Sequence, residues 1–100
     1  MYNAQISYKF KENMLEKGVS VWKEAVYNKI TKADGFIRVQ LYTSGNEMMA
    51  IGSWEKKSYA ETFMKTGVFK DLMQTFGEYL EEVPVNKTYE LRYFEEKMDL

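Results

Sequence analysis

Along the first ten residues, Tyr2, Ala4, Ile6, Tyr8 and Phe10 alternate with Asn3, Gln5, Ser7 and Lys9, the period-two pattern of a strand with one buried face. The period then lengthens. Leu15, Val19, Trp22, Val26 and Ile30 fall on one face of a helix spanning residues 13 to 33, and "KADG" ends it, with Gly35 as a left-handed C-cap. "FIRVQLYT" (36–43) and "EMMAIGSW" (47–54) predict two strands, joined through "SGN" as a hairpin. A short helix at about 57–65 and a longer one at about 67–82 follow, separated at Thr66–Gly67. Pro84 stops the second by pushing Val83 out of helical geometry, and "VNKTYELRYFEE" (85–96) closes the chain as a fourth strand.

The order β-α-β-β-α-β defines an α+β class. Its simplest packing is the ferredoxin-like plait, a four-stranded antiparallel sheet with the helices on one face. In residues 36–42, Ile37, Val39 and Leu41 are expected on one face, with Phe36 and Tyr42 on the other. In the last strand, Tyr89, Leu91 and Tyr93 are expected on one face and Phe94 on the opposite one. A sheet with one wet face alternates more cleanly than this. A second sheet is therefore expected on the open face, and in so short a chain it belongs to a second copy: a homodimer through the sheet faces.

One hundred residues make a single domain, 1–100, with one continuous core, and 45% apolar and 16% aromatic residues supply it amply. A net charge of −1 removes the concentrated positive surface that nucleic acid requires, and no basic amphipathic segment suggests a membrane surface. With no cysteine there is no disulfide or thiolate chemistry. With no histidine the commonest general base and metal ligand are gone too. "MYNAQISYKF" lacks the apolar run of a signal peptide, so a cytoplasmic protein is expected.

Candidate chemistry concentrates in "VFKDLMQTF", residues 68–76, where Phe69, Leu72, Met73 and Phe76 follow the helical i, i+3, i+4, i+7 spacing. Such a stripe serves either as core or as the wall of a pocket for a small aromatic ligand. Trp22 and Trp54 read as core and interface anchors, with Trp54 also suited to a cavity rim. Met48 and Met49 face opposite ways, one toward the helices and one toward the partner sheet. Two of the fourteen basic residues are arginines, Arg38 and Arg92, and the planar fork of either suits an anionic group or a dimer contact. The pairs Glu81–Glu82 and Glu95–Glu96 read as solvated, and no metal site is expected.

"DGFIRVQLY", "SWEKKSYAETFMKTGVFKDLMQTF" and "KTYELRYFE" together resemble the antibiotic-biosynthesis-monooxygenase superfamily over about residues 2 to 96. The resemblance implies a dimeric α/β barrel made by packing two plaits sheet to sheet. A strand ending in Trp, a charged pair, a short helix and then "VFK" are especially similar to the small haem-degrading members. Their inward Asn falls among Ile6, Ser7 and Tyr8, their Trp on Phe63 and their His on Met73, so all three positions are changed. The broader superfamily implies oxygenation of a small aromatic or quinol with no cofactor. Phe63, Met73 and Tyr8 would shape the site, Ser7 or Arg38 would supply polar contacts, and Trp54, Phe69 and Phe76 complete the candidate pocket. A non-catalytic small-molecule-binding or stress-related protein on the same scaffold is the alternative, and haem binding through Met73 a third reading.

Overall fold

The computed structural model describes residues 1–97. Its elements follow one another as β1 (Tyr2–Lys9), α1 (Leu15–Trp22), a π-helical turn (Lys23–Tyr27), α2 (Asn28–Ile30), β2 (Phe36–Ser44), β3 (Glu47–Trp54), α3 (Lys57–Met64), α4 (Val68–Phe76) and β4 (Val85–Glu90). The strands form one sheet in the order β2-β3-β1-β4, with every pairing antiparallel. This is the ferredoxin-like α+β plait.

Register fixes which side chains meet the helices. Tyr2, Ala4, Ile6 and Tyr8 of β1 lie opposite Trp54, Gly52, Ala50 and Met48 of β3, so the two sets share one face. Buried Tyr8, Met48, Ala50 and Trp54 mark that face as the inner one. Met49, beside Met48, lies opposite Ser7 on the open face, as the alternation along a strand requires.

Strand β2 departs from the expected alternation. A bulge between Phe36 and Arg38 takes Ile37 out of the ladder. Phe36, Val39 and Leu41 then pack against the core cluster, while Ile37 is 40% exposed. Arg38 and Tyr42, opposite Ser53 and Met49, lie on the open face. One inserted residue thus moves Phe36 onto the face expected of Ile37.

The first helix is shorter than residues 13 to 33 and contains a wider turn. Trp22, Val26 and Ile30 are all buried at four-residue spacing. In a regular α-helix each such step overshoots the turn by about 40°. The π-helical turn takes up the excess and keeps the three side chains over the sheet. The helix ends at Ile30, where Thr31 Oγ1 donates to the Tyr27 carbonyl at 3.0 Å and the next bonds are of the i→i+3 kind. Gly35, at φ 74°, turns the chain into β2 rather than capping the helix directly.

Helix α4 ends at Phe76 instead of residue 82. Beyond Gly77 the backbone turns back to the end of β1: Lys11 N–H donates to the Tyr79 carbonyl and Glu81 N–H to the Lys9 carbonyl, both at 2.8 Å. Phe10 and Leu80 form a bridge there. Those strand-like bonds stop the helix well before Pro84. Strand β4 likewise ends at Glu90, and residues 91–97 have no regular secondary structure. The face assignments for Leu91, Tyr93 and Phe94 therefore have no strand to refer to.

The core has two aromatic centres. Tyr8, Phe10 and Phe76 meet at one end, with Phe76 edge-on to both others at 5.2 Å between ring centres. Phe36, Trp54, Phe63 and Phe69 form a chain of rings at the other, spaced 6.1, 5.4 and 6.1 Å. Among the described residues no helix is long and apolar enough to cross a membrane.

Candidate functional site

The second aromatic centre borders a hollow between sheet and helices. Its floor is made of small side chains: Ala4 opposite Gly52, with Ala50 beside them opposite Ile6. Val39 of β2 extends the floor, Trp22, Val26 and Ile30 form one wall, and Trp54, Phe63 and Phe69 form another. Ala60 and Met64 of α3 and Asn86 of β4 complete the lining. Helices bridging bulky neighbours cannot settle onto alanine and glycine, so a cavity of about 40 Å³ remains. A Cβ built on Gly52 would stand 3.4 Å from Trp54 Nε1 and 3.5 Å from Ile30 Cδ1, in ordinary contact. The missing side chain is therefore part of what keeps the hollow open.

The lining is mostly hydrocarbon and aromatic ring, with two indole N–H groups and the Asn86 amide as its polar side-chain functions. Among the described residues it contains no carboxylate, amine or phenol. Such a lining can pack against the face of an aromatic ring and strip it of water, while a volume of about 40 Å³ does not enclose a whole ring. It has no side chain of its own to take up a proton at neutral pH. Trp22 is 3% exposed and its Nε1 is buried with no hydrogen-bond partner among the described residues.

The eight residues singled out from the sequence are distributed over four places. Trp54, Phe63 and Phe69 line the cavity. Tyr8 and Phe76 belong to the other aromatic centre, where burial pushes the Tyr8 phenol far above its ordinary pKa. Ser7 and Arg38 lie on the open face of the sheet, on the far side from the cavity. The Arg38 guanidinium stacks over the Phe94 ring at 5.4 Å. Met73 is 37% exposed and absent from the cavity wall. The buried face of α4 carries Val68, Leu72 and Phe76, a pure four-residue ridge that leaves Met73 beyond its edge. A haem does not fit these residues: Met73 is turned out, the cavity is far too small and no histidine exists in the chain. Among the described residues there is no group of three or more acidic side chains placed to hold a metal ion.

Trp22, Gly52, Met64 and Asn86 were not among those eight. Gly52 carried a readable signal, because a glycine inside a strand marks a place where something else approaches. Asn86 had none beyond its place in a strand.

No protein-family model matches the sequence, and no curated protein does. Solved structures do match in shape. A monooxygenase from the gene ActVA-Orf6 of Streptomyces coelicolor, in complex with the ligand Nanaomycin D, superposes with a TM-score of 0.81 at 15% identity, covering 96% of this chain and 91% of that one. SnoaB, a cofactor-independent oxygenase from Streptomyces nogalater, gives 0.79 at 12% identity, covering 93% and 94%. NE2512, a protein of unknown function from Nitrosomonas europaea, gives 0.81 at 10% identity, covering 98% and 95%. The chain shares the fold of the antibiotic biosynthesis monooxygenases over nearly its whole length.

Proposed function

We propose that the protein is a cofactor-independent monooxygenase acting on a small aromatic phenol or quinol held between helices and sheet. The observation that carries this reading is the aromatic-walled, largely apolar hollow at Trp54, Phe63 and Phe69. It occurs in a fold shared with SnoaB, a cofactor-independent oxygenase, and with a monooxygenase in complex with the ligand Nanaomycin D. For a phenol with a free para position the chemistry balances without a further reductant. The ring loses its para C–H and its O–H hydrogens, one atom of O₂ becomes the new carbonyl, and the other leaves with both hydrogens as water. The electrons come from the substrate. Since nothing in the lining ionises, the phenol passes its proton to solvent, and the aromatic walls then pack against the electron-rich ring.

Oxygen uptake with a panel of naphthols and hydroquinones tests this. Turnover above a heat-denatured control, lost in Phe63→Ala without unfolding, is expected. No uptake with any member overturns it. The lining's lack of any ionisable group favours one other reading, a binding protein without turnover, and that is the result such an outcome leaves standing.

The active unit in this reading is a homodimer, with a second copy over the open sheet face, where Tyr42, Val85 and Tyr89 are exposed at 48%, 57% and 48%. Sedimentation equilibrium showing a monomer at micromolar concentration overturns that part.

A further inference from the structure

We propose that the Trp22 indole N–H is the hydrogen-bond donor through which this cavity holds the oxygen of an aromatic carbonyl or phenol. The inference rests on the pocket reading above and deepens it. Trp22 is almost fully buried, and its Nε1 has no acceptor among the described residues. Native proteins leave few such donors unpaired, because a desolvated N–H without a partner is costly. An indole only donates, so the missing partner is an acceptor.

Position supplies the second argument. Trp22 and Val39 are shared between the inner cavity of about 40 Å³ and a groove of about 210 Å³, which also touches Val19, Lys23, Tyr27 and Leu41. Trp22 therefore stands at the boundary between the two spaces. A cavity that takes up a benzene ring is on the order of 150 Å³. The inner hollow is too small for that and the groove is large enough. A ring seated in the groove lies against Trp22 and Val39. The π-helical turn starts at the next residue, Lys23, and such turns recur at functional sites.

The third argument is chemical. Within the lining the remaining polar side chains are the Trp54 indole, which also only donates, and the Asn86 amide. A carbonyl or phenolate oxygen on an otherwise apolar ring matches a site with a fully buried, unpaired donor set in aromatic walls. A hydrocarbon ring of the same shape would fill the space and leave the donor unpaired.

The matched probes are 1-indanone and indane, alike in size and differing in the carbonyl, measured by equilibrium dialysis. Trp22→Phe is expected to weaken 1-indanone binding about fivefold to tenfold, the worth of one hydrogen bond, and to change indane binding less than about twofold. In the unaltered protein, 1-indanone is expected to move the Trp22 indole N–H proton resonance downfield, and indane to leave it in place. Equal weakening of both probes, or no weakening of either, overturns the proposal. If Trp22→Phe does not fold, the resonance decides alone: 1-indanone bound without moving it is a refutation. If neither probe binds the unaltered protein, the pocket reading fails and this inference with it, an outcome distinct from binding without discrimination.

Discussion

Gly52→Ala adds one methyl group at the floor of the cavity, and its effect can be worked out from the structure. Gly52 has no left-handed backbone, so alanine meets no conformational strain there. Its Cβ would touch Trp54 Nε1 at 3.4 Å and Ile30 Cδ1 at 3.5 Å, and no backbone atom lies among these nearest contacts. The space it enters is about 40 Å³. Burying a methyl contributes about 0.8 kcal/mol. Reducing the freedom of the unfolded chain adds about 0.4–1 kcal/mol. Together these predict a gain of roughly 1–2 kcal/mol, which for a 100-residue domain corresponds to a rise in Tm on the order of 5–10 °C.

Urea unfolding followed by tryptophan fluorescence measures the change directly, since Trp22 and Trp54 both border the cavity. The midpoint should rise with no change in slope, the sign of a stability change without a change in exposed area. Ligand binding and oxygen uptake should fall in the same variant, because the methyl fills the hollow against which the ring packs. A stable protein that has lost its activity is the signature of a hollow kept open for use. If Gly52→Ala unfolds at the same or lower urea concentration, the hollow is not where the side chains place it. A more stable variant that binds 1-indanone undiminished would refute the assignment of this cavity as the site.

Other substitutions test the rest of the construction. A Cβ on Gly18 would collide with the fully buried Phe10 ring, so Gly18→Ala should cost about 1–3 kcal/mol from overpacking, offset by up to about 1 kcal/mol of helix propensity; a higher urea midpoint would contradict this. Phe76→Ala, at 0% exposure between Tyr8 and Phe10, should cost about 3–5 kcal/mol, whereas Met73→Ala at 37% exposure should stay within about 0.5 kcal/mol; comparable losses in urea would show that α4 is rotated from its described face. The Tyr8 phenol is raised by burial, so above the unfolded-state value near pH 10 the unfolded chain releases a proton that the folded one keeps. Stability from this group is complete below pH 10 and falls at up to about 1.4 kcal/mol per pH unit above it. Tyr8→Phe should flatten that alkaline limb, and an unchanged limb would place the phenol in water.

The plait was legible because each of its elements carries its own period. The alternation of Tyr2 to Phe10 and the spacing of Trp22, Val26 and Ile30 give a strand and a helix whose inner faces the structure confirms. What failed were features set by partners distant in sequence. Helix α4 stops at Phe76 because residues 79–81 bond to the end of β1, some seventy residues away, and no local signal records that competition. The bulge at Ile37 is similar: it follows from fitting β2 to β3 while keeping Phe36 against Trp54, and alternation alone misassigns the face.

The candidate site was legible only in its bulky half. Large aromatic residues announce themselves, and Trp54, Phe63 and Phe69 do line the cavity. The hollow itself is made by what is small. Ala4, Ala50 and Gly52 lie side by side only once β1 and β3 are in register, and a sequence does not display adjacency between strands. Met73 was singled out by periodicity, since 69, 72, 73 and 76 fit a helical stripe equally well whether the buried ridge passes before or after residue 73. Packing chose Val68, Leu72 and Phe76, a line of four-residue steps, and turned Met73 outward. A site defined by absent side chains at its floor and an unpaired N–H at its edge has two testable consequences of opposite sign. Filling the floor should stabilise the fold and empty the site of ligand, while removing the donor should spare shape recognition and lose the oxygen.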